Sequence, residues 1–212
     1  MTMINKQLIG LCVSAGVAAG LLGTTDPAQA QATVSCDAAG SGCEQFVPDA
    51  TNDGTTTVSS SLLVASNQVC VEDAADAVTA TIDIDHTWVG DLVITLEPPT
   101  GTPTATLLNR LGNSRMPTVT GGCEGNPAQV SFGDKGAVQS CFTGELAPNP
   151  FFAPTDGSMA NLVAGTIDGT WKLKITDAGT GNFGVLQTWS LEFDCDTIED
   201  DIIFKDSFDG PS

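Results

Sequence analysis

Strict alternation of apolar and polar residues over one segment restricts the fold of this chain more than any other feature. In Val78 to Asp85 (VTATIDID) every second side chain is apolar. Successive side chains of a β-strand point to opposite faces of a sheet, so this pattern is typical of a strand with one buried face. It predicts that Val78, Ala80, Ile82 and Ile84 face a core.

Further short segments have the composition of strands and are separated by turn residues. Pro98-Pro99-Thr100-Gly101 is the clearest turn, and Asp177 to Gly184 (DAGTGNFG) is a second, rich in glycine. Many short strands without an amphipathic helix predict an all-β fold, an antiparallel β-sandwich. The other predicted strands are Ser60–Ser66, Val69–Val71, Leu92–Leu96, Thr104–Leu108, Thr170–Thr176 and Thr188–Phe193, with Trp171, Leu173, Ile175, Trp189, Leu191 and Phe193 facing inward.

The chain is predicted to contain one main domain with flanking segments. Residues 59–195 form the predicted sandwich, in which the stretch from Gly112 to about Pro154 is expected to be looser. Residues 31–58 are rich in Ser, Thr, Asp and Gly and are expected to form an irregular lead-in held by a disulfide. Residues 196–212 form an acidic C-terminal tail.

Residues 1–30 have the features of a cleaved signal peptide. Lys6 precedes an apolar run of small residues from Leu8 to Leu22, and Ala28-Gln29-Ala30 is a suitable cleavage site. Ala30-Gln31-Ala32 is an overlapping second choice. The apolar run is short for a membrane span, so the mature chain is expected to be secreted or periplasmic and to have no span.

Cysteine usage agrees with export. Of the seven cysteines, Cys12 would leave with the signal peptide, and an even number in an exported chain indicates disulfides. A zinc site is disfavoured because the chain has a single histidine and no C-x-x-C motif. Several connectivities are possible. The favoured pairs are Cys36–Cys43 and Cys123–Cys141, which close local loops, and Cys70–Cys195, which joins an early strand to the last one.

The chain is strongly acidic, with 26 acidic residues against 7 basic ones and a formal net charge of −19. Such a field repels phosphate backbones and anionic lipid, which argues against nucleic-acid binding and against docking on a membrane surface. It favours cations, basic partners and solubility, and keeping a secreted protein dispersed is its simplest role.

Two blocks of sequence together resemble a known domain. The first is HTWVGDLVITL (His86 to Leu96), and the second runs from GTWKL (Gly169 to Leu173) through Thr176-Asp177 to Trp189-Ser190-Leu191. Their order and spacing resemble the P/Homo B domain of the proprotein convertase family, the kexin- and furin-like enzymes, over roughly residues 60–195. The positions that match the family pattern are His86, Gly90, Asp91, Leu92, Gly169, Trp171, Asp177 and Trp189.

The resemblance implies a jelly-roll-like β-sandwich and a role beside a protease. In kexin- and furin-like enzymes this domain follows a subtilisin-like protease domain and supports its folding and stability. The sequence is interpreted as such a domain present without the protease domain. It predicts a secreted noncatalytic module that binds or stabilises an exported protein or peptidase in extracellular proteolysis. The alternative is a component of a split or degenerate subtilisin-like serine endopeptidase system.

The motif residues also have physical interpretations of their own. His86 at a strand end is expected to be structural rather than catalytic, and Trp171 and Trp189 are expected to be packing anchors. Asp177 is either a turn aspartate or a Ca²⁺ ligand. Asp91 and Asp177 are the Ca²⁺ candidates, and Ca²⁺ is the one cofactor that the sequence leaves open.

The sequence predicts no catalytic site. Asp156 to Ala160 (DGSMA) is similar to the nucleophile box of the subtilisins, which would make Ser158 a nucleophile. A serine peptidase also needs a histidine base with an orienting acid. The single histidine, His86, lies beside Asp85 in a predicted strand end of the P/Homo B pattern. The chain is therefore predicted not to be an enzyme.

Overall fold

A computed structural model describes residues 30–36, 43–51, 54–66, 69–70, 77–112, 122–125, 128–142, 145–146, 151–163 and 165–195. The predictions for the signal peptide before residue 30 and for the acidic tail, residues 196–212, lie outside the described residues. Within the described residues, no helix is long and apolar enough to cross a membrane.

Short strands make up most of the described chain. Two single-turn 3₁₀-helices, Val89–Asp91 and Ala160–Val163, interrupt them. The strands are β1 (Ala30–Cys36), β2 (Gln45–Val47), β3 (Thr56–Val64), β4 (Val69–Cys70), β5 (Val78–His86), β6 (Leu92–Glu97), β7 (Ala105–Asn109), β8 (Ala128–Ala137), β9 (Cys141–Phe142), β10 (Glu145–Leu146), β11 (Phe151–Phe152), β12 (Gly165–Thr166), β13 (Gly169–Asp177) and β14 (Gly184–Cys195).

The strands form two large sheets, which confirms the all-β prediction. The first sheet has the order β1-β14-β5-β8-β11, with β2 also paired to β14, and the second has the order β3-β13-β6-β7. Two small sheets pair β10 with β9 and β12 with β4. The jelly-roll connectivity that the resemblance implies stays a prediction.

One pairing departs from the antiparallel prediction. β11 runs parallel to β8, with Phe151 opposite Ser131, whereas the other strand pairs are antiparallel within the described residues. A parallel pair needs a crossover connection of about a dozen residues or more. The segment between β8 and β11, residues 138–150, is long enough to supply it.

Side chains from both large sheets meet in a common core. The ring of Trp171 on β13 lies 5.3 Å from the ring of Phe193 on β14, centroid to centroid. The indole Nε1 of Trp189 donates a 2.9 Å hydrogen bond to the hydroxyl of Ser60 on β3, so the buried indole keeps a polar partner. The predicted inward positions of β5, β13 and β14 are all buried, which confirms the alternation argument for these three strands.

Residues 31–58 were expected to be irregular, but the described part of this segment contains β1, β2 and the start of β3. β1 pairs with β14 along its whole length, β2 pairs with the start of β14, and β3 already begins at Thr56. The residues of β1 (AQATVSC) alternate between apolar and polar, but its apolar residues are small, so the alternation is a weak signal of a buried face. Its pairing therefore depends on the partner strand more than on its own composition. The boundary at residue 59 stays a prediction.

The segment expected to be loose, Gly112 to about Pro154, contains the long strand β8. Its glycines, Gly133 and Gly136, read as turn residues in the sequence. In the fold they allow β11 to approach, because a Cβ on Gly136 would lie 2.0 Å from the backbone carbon of Phe152. Glycine here marks close backbone contact inside a sheet rather than a turn.

Two buried disulfides link segments of the sandwich. Cys36 is bonded to Cys43 and Cys123 to Cys141, with Cα–Cα distances of 5.5 and 5.7 Å, within the usual range for a disulfide. The side chains of Cys70 and Cys195 lie outside the described residues, so the third pair stays a prediction.

Candidate functional site

The motif residues meet where strand ends of both sheets come together. β5 ends at His86, which pairs with Gly184 at the start of β14. β13 ends at Asp177, which pairs with Leu92 at the start of β6. The loop from β13 to β14 therefore passes from the second sheet to the first directly above these positions.

His86 is fully buried and is held at both ring nitrogens. Its Nε2 lies 3.3 Å from Oδ2 of Asp177, whose side chain is also fully buried. Its Nδ1 lies 3.0 Å from the carbonyl oxygen of Trp88 and 3.3 Å from the backbone nitrogen of the same residue. Nδ1 therefore has a partner whether it carries a proton or not. The ring joins β13 to the turn after β5.

Asp177 uses both carboxylate oxygens within the protein. Oδ2 faces His86, and Oδ1 accepts a 3.0 Å hydrogen bond from the backbone N–H of Gly179, two residues further on. This is the local pattern of a turn aspartate. Of the two interpretations that the sequence left open for Asp177, the geometry supports the turn.

Asp91 lies beside this pair and is also buried. Its Oδ1 is 3.9 Å from Nη2 of Arg110. Burial raises the pKa of Asp91 and the nearby Asp177 raises it further, while Arg110, His86 and a hydrogen bond from Asn182 lower it in part. The cluster thus contains two buried carboxylates, one beside an arginine and one beside an imidazole.

Glycine is required where the loop crosses Asp91. A Cβ on Gly179 would lie 2.0 Å from Cγ of Asp91, and the backbone N–H of Ala178 donates a 2.9 Å hydrogen bond to the carbonyl oxygen of Asp91. The loop between β13 and β14 therefore rests directly on the turn before β6. The cluster ties three chain segments together at this end of the sandwich.

The fit of the cluster to a metal ion is poor as it stands. Within the described residues, no group of three or more His, Cys, Asp and Glu side chains is arranged to hold a metal ion. Ca²⁺ takes about six to eight oxygen ligands. Asp91 faces the guanidinium of Arg110. Asp177 already uses both of its oxygens, one toward His86 and one toward the N–H of Gly179. Ca²⁺ binding at these two residues stays a prediction.

Ser158 has a structural partner of its own. Its hydroxyl donates a 2.7 Å hydrogen bond to Oδ2 of Asp134 on β8. The backbone N–H groups of Met159 and Ala160 donate to the same carboxylate at 2.8 Å each, at the start of the 3₁₀-helix Ala160–Val163. The DGSMA segment is therefore a turn closed by Asp134, and its serine faces a carboxylate rather than an imidazole.

The remaining motif residues serve the fold. The backbone N–H of Gly90 donates to the carbonyl oxygen of Cys123 at 2.9 Å, and Leu92 is fully buried. Gly169 adopts a φ of 127°, and a Cβ there would lie 2.7 Å from Cβ of Pro99. Trp171 donates from Nε1 to the carbonyl oxygen of Ile167 at 2.8 Å. Both tryptophans are packing anchors, as predicted.

Sequence reasoning missed three members of the cluster. Arg110, Asn182 and Gly179 all lie close to Asp91. No local sequence pattern around these three residues predicts the contact. Asp134 was missed for the same reason, because its partners lie about two dozen residues further along the chain. A pairwise contact of this kind leaves no trace in the local period of a single sequence.

The fold and the cluster define a disulfide-linked β-sandwich domain whose buried polar residues fasten its strand ends, with its one histidine inside. The sequence model of the proprotein convertase P-domain matches residues 75–120 and 149–193, which contain the cluster residues His86, Asp91, Arg110 and Asp177. These two segments of the chain are thus similar to the P-domain of the proprotein convertases. The P-domain is an accessory domain of proteases and is not itself catalytic.

Two solved structures are similar to this chain at 18% sequence identity. One is the Aeromonas sobria serine protease in complex with a chaperone, with a TM-score of 0.41 over 77% of this chain and 26% of the protease chain. The other is the Aeromonas sobria serine protease, with a TM-score of 0.40 over 80% of this chain and 28% of that one. This chain thus spans about a quarter of their length. No curated protein matches the sequence significantly.

Proposed function

We propose that this chain is an exported, noncatalytic accessory module that binds and stabilises a peptidase. One observation carries the proposal. His86, the single histidine, is fully buried in the P-domain cluster and paired with Asp177, so it braces strand ends instead of meeting a substrate. A catalytic histidine has to lie within hydrogen-bond reach of its nucleophile and of the substrate.

The surroundings of Ser158 support the same conclusion. Its hydroxyl and the two backbone N–H groups that follow all converge on Asp134. An activated serine needs a base that takes its proton, and the subtilisin-type base is an imidazole. A carboxylate that accepts three hydrogen bonds is a stable turn acceptor. We therefore infer that DGSMA is similar to a nucleophile box in sequence but that Ser158 does not act as a nucleophile.

The disulfides and the P-domain point to an extracellular or periplasmic location. We propose cleavage of the signal peptide after Ala30. β1 runs from Ala30 to Cys36 and pairs with β14, so cleavage after Ala30 keeps nearly the whole ladder. Cleavage after Ala32 would remove three of its residues. N-terminal sequencing of the exported protein tests this: Gln31 is expected as the first residue, and Thr33 would contradict it.

The accessory function is tested with the oxidised, exported chain as bait in its own secreted fraction. Any enriched peptidase is then purified and melted with and without an excess of the chain. A ligand that binds only the folded state raises its melting temperature, so a stabilising module raises that of the peptidase. A peptidase that binds but melts unchanged would contradict the stabilising role.

The contrary hypothesis, that the chain is itself a peptidase, is tested by assaying it for hydrolysis of a protein substrate. The purified chain alone is expected to leave unfolded casein intact. Casein hydrolysis that disappears in Ser158→Ala, while the variant keeps the wild-type melting temperature, would overturn the proposal. Asp134→Asn is the matched control, because it disturbs the turn around Ser158 without removing the hydroxyl.

A further inference from the structure

An open pocket adjoins the cluster on the outer face of the first sheet. It has a volume of about 180 Å³ and lies between the end of β5 and the loop that leads into β14. Its walls include Asp85 and Thr87 on one side and Asn182 and Phe183 on the other, with Val185 below. Pockets for drug-sized ligands hold about 300–1,000 Å³, so this one has room for a single side chain.

An exposed aromatic pair borders the pocket. Phe46 on β2 and Phe183 in the loop are 58% and 61% exposed, and their ring centroids lie 5.8 Å apart. Large apolar side chains grouped at the surface mark interaction sites more often than single ones do. Aromatic residues are also enriched at the centres of protein–protein interfaces.

The strand register sets an acidic residue beside these rings. Val185 pairs with Phe46 on one side and with Asp85 on the other, so the three side chains form one row across the outer face of the sheet. The exposed carboxylate of Asp85 is therefore separated from an exposed ring by a single strand. A carboxylate has about four acceptor sites, so Asp85 accepts a further donor in addition to its existing contacts.

The loop that carries Phe183 is held in place by hydrogen bonds. The backbone N–H of Gly181 donates to both carboxylate oxygens of Asp49, at 2.9 and 3.0 Å. Asn182 accepts a 2.7 Å hydrogen bond from Thr87 and donates to Asp91 of the cluster. A surface that is ordered before binding loses less conformational entropy when a partner arrives.

We propose that this pocket receives a lysine or arginine side chain of a partner protein, with the Phe46–Phe183 pair covering the apolar residue next to it. The proposal rests on the accessory function and names the chemistry of its partner. The carboxylate of Asp85 complements the cation, and the face of Phe183 offers a cation–π contact. The net charge of −19 draws basic partners in and opposes a second copy of this chain.

The probe is a tripeptide amide with arginine between two phenylalanines, and its control replaces arginine by citrulline, which has the same shape without the charge. Binding to the oxidised, ¹⁵N-labelled chain is followed by amide chemical shifts at low salt. Saturable shifts are expected at Asn182, Phe183 and Val185. Loss of a charge-assisted contact weakens binding about tenfold, and this is the expected effect of citrulline.

Variants separate the pocket from the general field of the acidic chain. Asp85→Asn and Phe183→Ser are each expected to weaken the arginine peptide about tenfold. Glu192→Gln removes one negative charge from the same sheet face, about 20 Å along β14, and is expected to change the affinity by less than about twofold. Only variants that keep the wild-type melting temperature enter this comparison.

Several results would overturn the inference. They are equal binding of the citrulline peptide, shifts confined to other parts of the chain, or equal losses in Asp85→Asn and Glu192→Gln. The accessory function is judged separately, by the melting temperature of a captured peptidase. If Asp85→Asn stabilises that peptidase as well as the wild type does, the accessory function stands and this pocket is not its interface.

Discussion

Removal of the Asp177 carboxylate is the sharpest test of the cluster. Asp177→Ala takes away the partner of His86 Nε2, which is fully buried, and the acceptor of the Gly179 N–H, which is partly buried. A buried polar group that loses its partner costs about 1–3 kcal/mol, and here two groups lose theirs. The expected loss in the free energy of unfolding is therefore about 3 kcal/mol.

Urea unfolding of the oxidised chain, followed by tryptophan fluorescence, measures this loss as a lower midpoint at constant m-value. For a domain of this size, a loss of about 3 kcal/mol lowers the melting temperature by roughly 6–12 °C. Asp83→Ala is the matched control. It removes a partly exposed carboxylate from the outer face of β5, and a change within about 0.5 kcal/mol is expected. An equal, small loss in both variants would refute the bracing role of Asp177.

Four further predictions concern packing, pH and metal. Gly136→Ala is expected to lower the free energy of unfolding by about 3 kcal/mol or more, because its Cβ would meet the Phe152 backbone; near-wild-type urea unfolding would exclude that packing. The bonds from Lys174 and Lys172 lower the pKa of Glu97, so its contribution of about 0.5 kcal/mol is present at neutral pH and lost as pH falls through that pKa. Glu97→Gln should flatten this dependence in urea titrations from neutral to acidic pH. The pH dependence from Asp91 has the opposite sign, because burial raises its pKa and the folded state therefore binds the proton more tightly than the unfolded state. The free energy of unfolding is expected to fall as pH rises above the pKa of Asp91 in the unfolded state, and Asp91→Asn should remove this slope. The sequence leaves Ca²⁺ open: if it binds, Ca²⁺ at about 100 times Kd adds about 2.7 kcal/mol, whereas equal melting temperatures in Ca²⁺ and EDTA would exclude it.

The strands with a buried face were predictable because burial imposes a period on their sequence. β5 and β13 place an apolar side chain at alternate positions, β14 does so from Trp189 to Phe193, and these inward residues are buried as expected. β1 carries small and polar residues at the edge of the sheet, and the glycines of β8 serve a close contact with β11. Strands of this kind are determined by their neighbours, and a single sequence does not display its neighbours.

The candidate site shows the same division. His86, Asp91 and Asp177 were identified because they belong to motif blocks at strand ends. The pairing of His86 with Asp177 joins residues 91 positions apart, and Arg110 enters the cluster from after β7. These contacts result from the stacking of two sheets. Local patterns therefore indicate which residues matter without indicating which of them touch.

The pairing of β1 with β14 has a consequence for how the domain is joined to other proteins. Ala30 lies opposite Cys195, so the first and last strands begin and end side by side at one pole of the sandwich. The cluster and its pocket lie at the other pole, about 36 Å away along the twelve residues of β14. A tether attached at either end of the domain therefore leaves the opposite pole, with the cluster and its pocket, accessible to a partner.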